Sequence, residues 1–576
     1  MKHRVFLCGL AATMTISSAS VVAEDRIKTA TPIKHLVVIF QENVSFDHYF
    51  GSYPIALNHP GETPFAASET TPKSINNLLT PLDVNNSFAP LEGVDLMGKN
   101  PNGPLGSGAA INGSDASNPF RLSPAQARTS SQDHEDLAEQ LADDNGKMDA
   151  FPSSTGNGDA PKGFGKSVVM GHYDGDTVTA LWNYAQHFAM NDNSWTTTFG
   201  PSTPGALNLI SGQTNGVDAM LNVADGSGAL FHPKYEVQDG NGNYTIVGDA
   251  DPLLDLCSNP TIDQVTMHGP NIGDLLDARD ISWGSFMGGF DLTIANPNGT
   301  SGCERSSATR APGASQSATL DYIPHHAWFQ YYASTRNIAH ARPKSTAAIG
   351  HTRDPLTGAI DPANHAYDIH DFFDALDAGV FPAVSFLKAP AYQDGHPGYS
   401  NPIDEQIFIV NAINALQKHP EWANTAVIIA YDDSDGWYDH QMPPIVNPSF
   451  TTADALNGSG VCQRGLQQGV AVATVPLDGA FGRPAQGRCG YGTRVPLLLI
   501  SRFAKVNLVD HTLTDQTSVL RFIEDNWLSG QRVQPGGSFD TIAGPLNNMF
   551  DFDKREKDKA RELFLDPATG AAISDP

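Results

Sequence analysis

The sequence predicts an α/β fold: a mostly parallel sheet with helices on both faces and long loop insertions. Three observations predict it. Short β-branched apolar runs alternate with segments of helical spacing, as strands and crossover helices do. The runs are apolar along their whole length, the mark of strands buried on both faces. Forty percent of the 576 residues are hydrophobic, enough for a large core and against general disorder.

Residues 33–40 (IKHLVVIF) read as the first strand. Residues 52–124 are rich in Pro, Asn, Gly and Ser and read as a long insertion; long loops often carry function. Helical spacing recurs at 177–188, from Leu207 onward, and at 272–279, 325–334, 370–378, 402–418 and 516–527. Further strands are predicted at 383–387, 426–431 and 495–501. Asp239–Asn243 (DGNGN) resembles half of a calcium loop, but Tyr244 stands where Gly is needed, so a hairpin turn is the better reading. Two more insertions are expected at about 214–270 and 441–492, within a single domain over 24–576.

Residues 1–23 read as a signal peptide. Lys2 and Arg4 precede an apolar run from Val5 to Ile16, and Val21-Val22-Ala23 suits cleavage. Without a twin arginine the expected route is Sec, to the periplasm or medium. No run reaches the ~18 apolar residues of a membrane anchor. Removal of Cys8 leaves four cysteines, and an even count in an exported chain suggests disulfides. Three connectivities are open. Local pairing of Cys257 with Cys303 and Cys462 with Cys489 would staple two insertions; a zinc site is the alternative, without a CxxC pair to support it. The formal charge of −28 argues against nucleic acid and anionic lipid surfaces as partners.

Ligands of open α/β sheets bind beyond the carboxyl ends of strands. The first strand ends in Gln41-Glu42-Asn43, and the strand at 426–431 ends in Asp432-Asp433-Ser434-Asp435-Gly436. Either cluster alone suits turn formation. Together they put Glu42, Asp432 and Asp433 on one sheet edge, where a divalent metal ion would relieve their repulsion. Phe199-Gly200-Pro201-Ser202-Thr203-Pro204-Gly205 leads into a helix, with Pro204 in its first turn and Thr203 as cap. Ser202 then lies beside a helix N-terminus, which favours phosphate, and a metal could make its hydroxyl a nucleophile; a plain cap is the alternative. His134, His325, His326 and His396 are candidates to donate to phosphoryl oxygens or a leaving group. His48, His370 and His440 suit supporting roles.

Lys34–Gly51 (KHLVVIFQENVSFDHYFG) resembles the opening signature of the bacterial phosphoesterase family of phospholipases C and Francisella-type secreted acid phosphatases. Four further matches follow in family order: Gly146–Asp149, Met170–Asp174, Asn191–Asn193 leading into GPSTPG, and Tyr431–His440. The resemblance implies an alkaline-phosphatase-like core. It implies Glu42, Asp432, Asp433 and Ser202 as metal ligands, Ser202 as nucleophile, and Asn43 on the phosphoryl oxygens. His134, His325, His326 and His396 match the family's active-site histidines, with His370 a competitor for the last. Val44 replaces the usual Arg, and Ser202-Thr203-Pro204-Gly205 replaces a Thr nucleophile followed by Pro-Asn-Arg. Strand and helix signals end near Trp527, without the C-terminal β-domains of many phospholipases C. These departures point to a metal-dependent, acid-phosphatase-like hydrolase of small phosphomonoesters. The alternative is a phospholipase C acting on phosphatidylcholine-type diesters. A sulfatase-like relative is disfavoured because Ala206 stands where the C/S-x-P-x-R motif needs Arg. A binding protein that kept the fold is disfavoured by the intact Glu42, Ser202, Asp432 and Asp433.

Overall fold

The computed structural model describes residues 28–103, 117–158, 160–221, 234–309, 318–464, 467–469, 473–553 and 561–574. The expected signal peptide and Cys8 lie outside these residues. The core is an eight-stranded sheet. In chain order its strands are β1 (His35–Gln41), β2 (Ala189–Asn191), β3 (Trp283–Met287) and β4 (Ala366–Asp368). β5 (Val384–Lys388), β6 (Thr425–Tyr431), β7 (Leu497–Ser501) and β8 (Leu508–Asp510) follow. Their order across the sheet is β4-β3-β5-β1-β6-β7-β2-β8. Only β7 runs against its neighbours, so the sheet is mostly parallel as predicted.

β1 occupies the middle because every residue of HLVVIFQ is buried, so both faces of the strand are covered. The helices of five residues or more among the described residues are α1 (Phe46–Phe50), α2 (Asp136–Asp143), α3 (Thr179–His187), α4 (Ser202–Ser211), α5 (Ile272–Asp277), α6 (Ile369–Asp377), α7 (Pro402–Lys418) and α8 (Thr517–Trp527). Helix α4 packs on α8, and α3 on α7. The longest, α7, starts where expected: Pro402 occupies its first turn and Asn401 accepts from the amides of Ile403 and Asp404 at 3.0 and 3.1 Å.

Three expectations need correction. β2, β3, β4 and β8 were not foreseen; they have three to five residues and no long apolar run. The helix expected at 325–334 is instead two 3-10 turns, Pro324–His326 and Trp328–Tyr331. Ala327, at φ −90° and ψ 70°, breaks the helical path between them. The third concerns α4, which begins at Ser202 with Pro201 as cap, so Thr203 is not the cap. Pro204 remains tolerable because first-turn amides have no intrahelical partner.

The hairpin reading of DGNGN holds: Glu236–Gln238 and Tyr244–Ile246 pair antiparallel around it. Both local disulfides form, Cys257–Cys303 and Cys462–Cys489, which overturns the zinc alternative for these cysteines.

His48 sits beneath the site. Its ring stacks on Trp437 at 3.9 Å, and its Nδ1 donates to the Gly171 carbonyl at 2.7 Å. Burial pushes its pKa down to about 3. The unfolded chain therefore takes up a proton near pH 6.5 that the folded chain refuses until about pH 3. The contribution is fully present above pH 6.5 and is lost as pH falls through that window, by up to ~1.4 kcal/mol per pH unit. Denaturant melts between pH 7 and 4 should show a shallower acid slope for His48→Gln than for wild type. Equal slopes would exclude His48 as a source.

Candidate active site

Register builds the site. Gln41 pairs with Tyr431 at the carboxyl ends of β1 and β6, so the next residues, Glu42 and Asp432, emerge side by side. Lys388 ends β5, the other neighbour of β1, on the same edge. Helix α4 brings Ser202 to this edge from its first turn. The Ser202 hydroxyl lies 2.9 Å from Glu42 Oε2 and 3.2 Å from Asp433 Oδ2. Close approach depends on Gly205: a Cβ there would lie 2.2 Å from the Asp432 carbonyl oxygen.

Asn43 adopts φ 63°, a left-handed conformation that Asn tolerates better than most residues. Its amide donates to Asp432 Oδ1 at 2.9 Å, and its side-chain nitrogen reaches Asp435 Oδ1 at 3.1 Å and His134 Nε2 at 3.4 Å. His134 Nδ1 lies 3.0 Å from the Gln132 carbonyl and 3.3 Å from Asp435. The His396 ring is 6.0 Å from that of His134. His326 Nδ1 lies 3.4 Å from Glu42 Oε1, and the His325 ring is 4.6 Å from that of His326. Asp251 lies 3.4 Å from His325 Nδ1. Each of the nine residues expected at the site thus falls in one connected group.

His370 does not: it lies beside Asp368 and Arg342. His440 is held by Asp47 at 2.6 Å and Asn76 at 3.0 Å, next to the buried Arg494.

The structure adds residues that sequence reasoning missed. Lys388, 1% exposed, bonds to Glu42 Oε1. It follows the predicted strand at 383–387, so the strand-end rule that found Glu42 and Asp432 would have found it too. Asp394 supplies its carbonyl to the Glu42 amide at 2.9 Å, and its carboxylate lies 3.9 Å from His326. Asp249 accepts from the Thr203 amide at 2.9 Å, at the start of α4. Asp249 and Asp251 follow the hairpin strand Tyr244–Ile246, and no sequence motif surrounds them.

Charge is crowded here. Burial and the Asp432 charge raise the Glu42 carboxyl well above the usual range, against the pull of Lys388. Burial and Asp432 do the same to Asp433. Burial also works against the Asp432 charge, but Lys388, a hydrogen bond with Glu42 and two backbone amides outweigh it and hold that carboxyl low. Desolvation of the half-buried His134 works against its charge, yet Asp433, Asp435 and Asp249 push it up to about 10. Burial and then His134 push His396 down to about 3.

Asn43 Oδ1 and His326 Nε2 are buried without a hydrogen-bond partner. Buried polar atoms of native proteins are normally satisfied, so these face a missing group. Ser202 touches Glu42 and Asp433, and Asp432 lies beside both carboxylates; this all-oxygen set fits a hard divalent cation. A cavity of about 630 Å³ lies on the His134 side of the site, lined by His134, Pro201, Asp133, Glu135, Asp249 and Lys234 among others; Ser202 and the three carboxylates are not in its lining. It gives a phosphate ester room to approach.

Residues 33–528 match the Phosphoesterase family. Over 188 residues the chain is 31% identical to the non-hemolytic phospholipase C of Pseudomonas aeruginosa, covering 32% of this chain and 26% of that protein. It is 30% identical over 179 residues to the hemolytic phospholipase C of the same species, covering 31% and 22%. These two matches thus span about a quarter of each relative's length. Phospholipase C B of Mycobacterium tuberculosis is 24% identical over 507 residues, 86% of this chain and 73% of that protein.

Proposed function

The chain belongs to the Phosphoesterase family, and on that premise we propose that it is a metal-dependent hydrolase of phosphoric esters with Ser202 as nucleophile. The observation that carries this reading is the Ser202 hydroxyl, at the first position of a buried helix and donating into the Glu42 and Asp433 carboxylates at 2.9 and 3.2 Å. Glu42, Asp432, Asp433 and Ser202 would hold the ion. A bound divalent cation supplies positive charge that favours the serine alkoxide and offsets charge on the phosphoryl oxygens.

Ser202 passes its hydroxyl proton to the Glu42 or Asp433 carboxylate it bonds and attacks phosphorus, the bond to the leaving oxygen breaks in line, and phosphoserine forms. His134 or His325 gives a proton to the leaving alcohol, and water then hydrolyses the phosphoserine. Asn43 donates to a phosphoryl oxygen, while His326 and His396 line the same group. Asp251 orients His325, as Asp435 orients His134.

Small phosphomonoesters are the first substrate reading, supported by the Ser-Thr-Pro-Gly run and by Val44. Phosphatidylcholine-type diesters are the second, supported by the names of the relatives. Export by the Sec route belongs to the same reading and is supported by the two disulfides. No helix among the described residues is long and apolar enough to cross a membrane.

Parallel hydrolysis of p-nitrophenyl phosphate and p-nitrophenylphosphorylcholine separates the substrates. Faster monoester cleavage, abolished by chelation and restored by a divalent metal, is expected. Faster diester cleavage would select the phospholipase reading, and activity indifferent to chelation would overturn the metal.

A further inference from the structure

Lys388 is the one buried lysine among the described residues. Buried lysines are rare because desolvation penalises the ammonium, so one at the edge of a carboxylate cluster calls for a reason. Its backbone is fixed. β5 lies between β1 and β3 in the sheet, Lys388 pairs with Met287, and its carbonyl accepts from the Gly288 amide at 3.0 Å. The ammonium is thus delivered to the carboxyl edge of the sheet, where it bonds Glu42 Oε1. The other oxygen of the same carboxylate, Oε2, accepts from the Ser202 hydroxyl at 2.9 Å. Glu42 therefore has two sides, one toward the nucleophile and one toward the lysine.

Oε1 is also one corner of a triangle of ligand atoms. His326 Nδ1 lies 3.4 Å from it and 3.9 Å from Asp394 Oδ2, and the three residues have their ligand atoms within 4.8 Å of one another. Two carboxylates and an imidazole are the donor types of transition-metal sites. A carboxylate that gives one oxygen to each of two ions can bridge a two-metal phosphoesterase centre, whose ions lie about 3.5–4 Å apart. Glu42 is placed for that bridge, but the Lys388 ammonium stands at its second corner. There it brings one positive charge, which Glu42, Asp432 and Asp394 sustain against burial.

We propose that the Lys388 ammonium takes the place of a second metal ion, so that the Ser202 centre holds a single ion. The inference rests on the metal reading above and deepens it. One divalent ion on the Oε2 side and the ammonium on the Oε1 side share the Glu42 carboxylate. Lys388 is then a positioning residue: it acts through Glu42, holding Oε2 toward Ser202, and it closes the triangle to further metal. The rival is a lysine that only neutralises the buried Glu42. Its loss would destabilise the fold and leave the number of bound ions unchanged.

The test counts Mn²⁺ per chain after equilibrium dialysis of the metal-stripped full chain, with electron paramagnetic resonance on the loaded samples. Wild type should hold one Mn²⁺ and give the resolved hyperfine pattern of an isolated ion. Lys388→Ala should hold two, with the broadened signal of a spin-coupled pair. Lys388→Ala/Asp394→Asn should return to one, because the second ion loses a ligand. Lys388→Arg keeps the charge and should stay at one. If Lys388→Ala does not fold, Lys388→Gln, which keeps a donor to Glu42, serves in its place and should also admit the second ion. Two ions on wild type overturn the proposal without any variant. One ion on a folded Lys388→Ala or Lys388→Gln overturns the role of Lys388 and leaves the metal reading standing. No ion on wild type overturns both.

Discussion

Ser202→Ala is expected to lower kcat by roughly three orders of magnitude or more while leaving the fold intact. The reasoning is geometric. Among the described residues Ser202 is the one hydroxyl that donates to both Glu42 and Asp433, and it does so from a helix start that can receive an anion. Alanine removes the attacking oxygen and nothing else in the packing. Its cost to stability is the loss of one donor to two buried carboxylates, about 1–3 kcal/mol. Bound metal would offset part of that loss. Turnover of p-nitrophenyl phosphate and a thermal melt on the same preparation check both halves. Wild-type turnover in a folded variant would remove Ser202 from the mechanism.

The second large effect is expected from a residue with no chemistry. Gly205 lies one turn into α4 and lets the helix approach the end of β6. A Cβ would meet the Asp432 carbonyl oxygen at 2.2 Å and carbon at 2.8 Å, both backbone atoms that cannot swing aside. Gly205→Ala must therefore push α4 away from β6, and Ser202 moves with it. Displacement of a reacting group by about 1 Å can cost 10²-fold in rate. We expect kcat to fall by about 100-fold, with a loss of ~1–3 kcal/mol of stability from overpacking. Comparable activity in Gly205→Ala would mean that the distance from Ser202 to the carboxylates does not rest on this contact.

How much of this was legible beforehand depends on chain length within each element. β1 and β6 are seven-residue strands with continuous apolar middles, and α7 has a proline start, an asparagine cap and seventeen residues of pattern. Each was placed to within two residues. β2 (AMN), β4 (AYD) and β8 (LVD) carry no readable pattern; pairing to a neighbour makes them strands. The aromatic run Trp328–Tyr331 mimics helical spacing, yet it forms a 3-10 turn because the backbone at Ala327 turns out of the helix. At the site, Glu42 and Asp432 were legible because strand ends point to a known edge. Lys388 obeys the same rule, but a single lysine at a strand end carries no cluster signal of the kind the paired acids give. Asp249 and Asp251 were not legible at all. Tertiary packing of an insertion delivers them, and nothing local marks them.

The placement of β1 has a consequence for the order of assembly. The first strand made is central in the sheet, yet its two partners are residues 384–388 and 425–431. A chain synthesised from its N-terminus holds β1 unpaired until some 350 further residues have emerged. At 5–20 residues per second that wait lasts roughly 20–70 s. Throughout it HLVVIFQ is an unsatisfied edge of high β-propensity, open to pairing with other chains. The disulfides close loops of 46 and 27 residues and can form locally, but neither restrains β1. A chaperone that covers the first strand until the middle of the sheet is complete is therefore expected to raise the yield of soluble protein, which co-expression would measure.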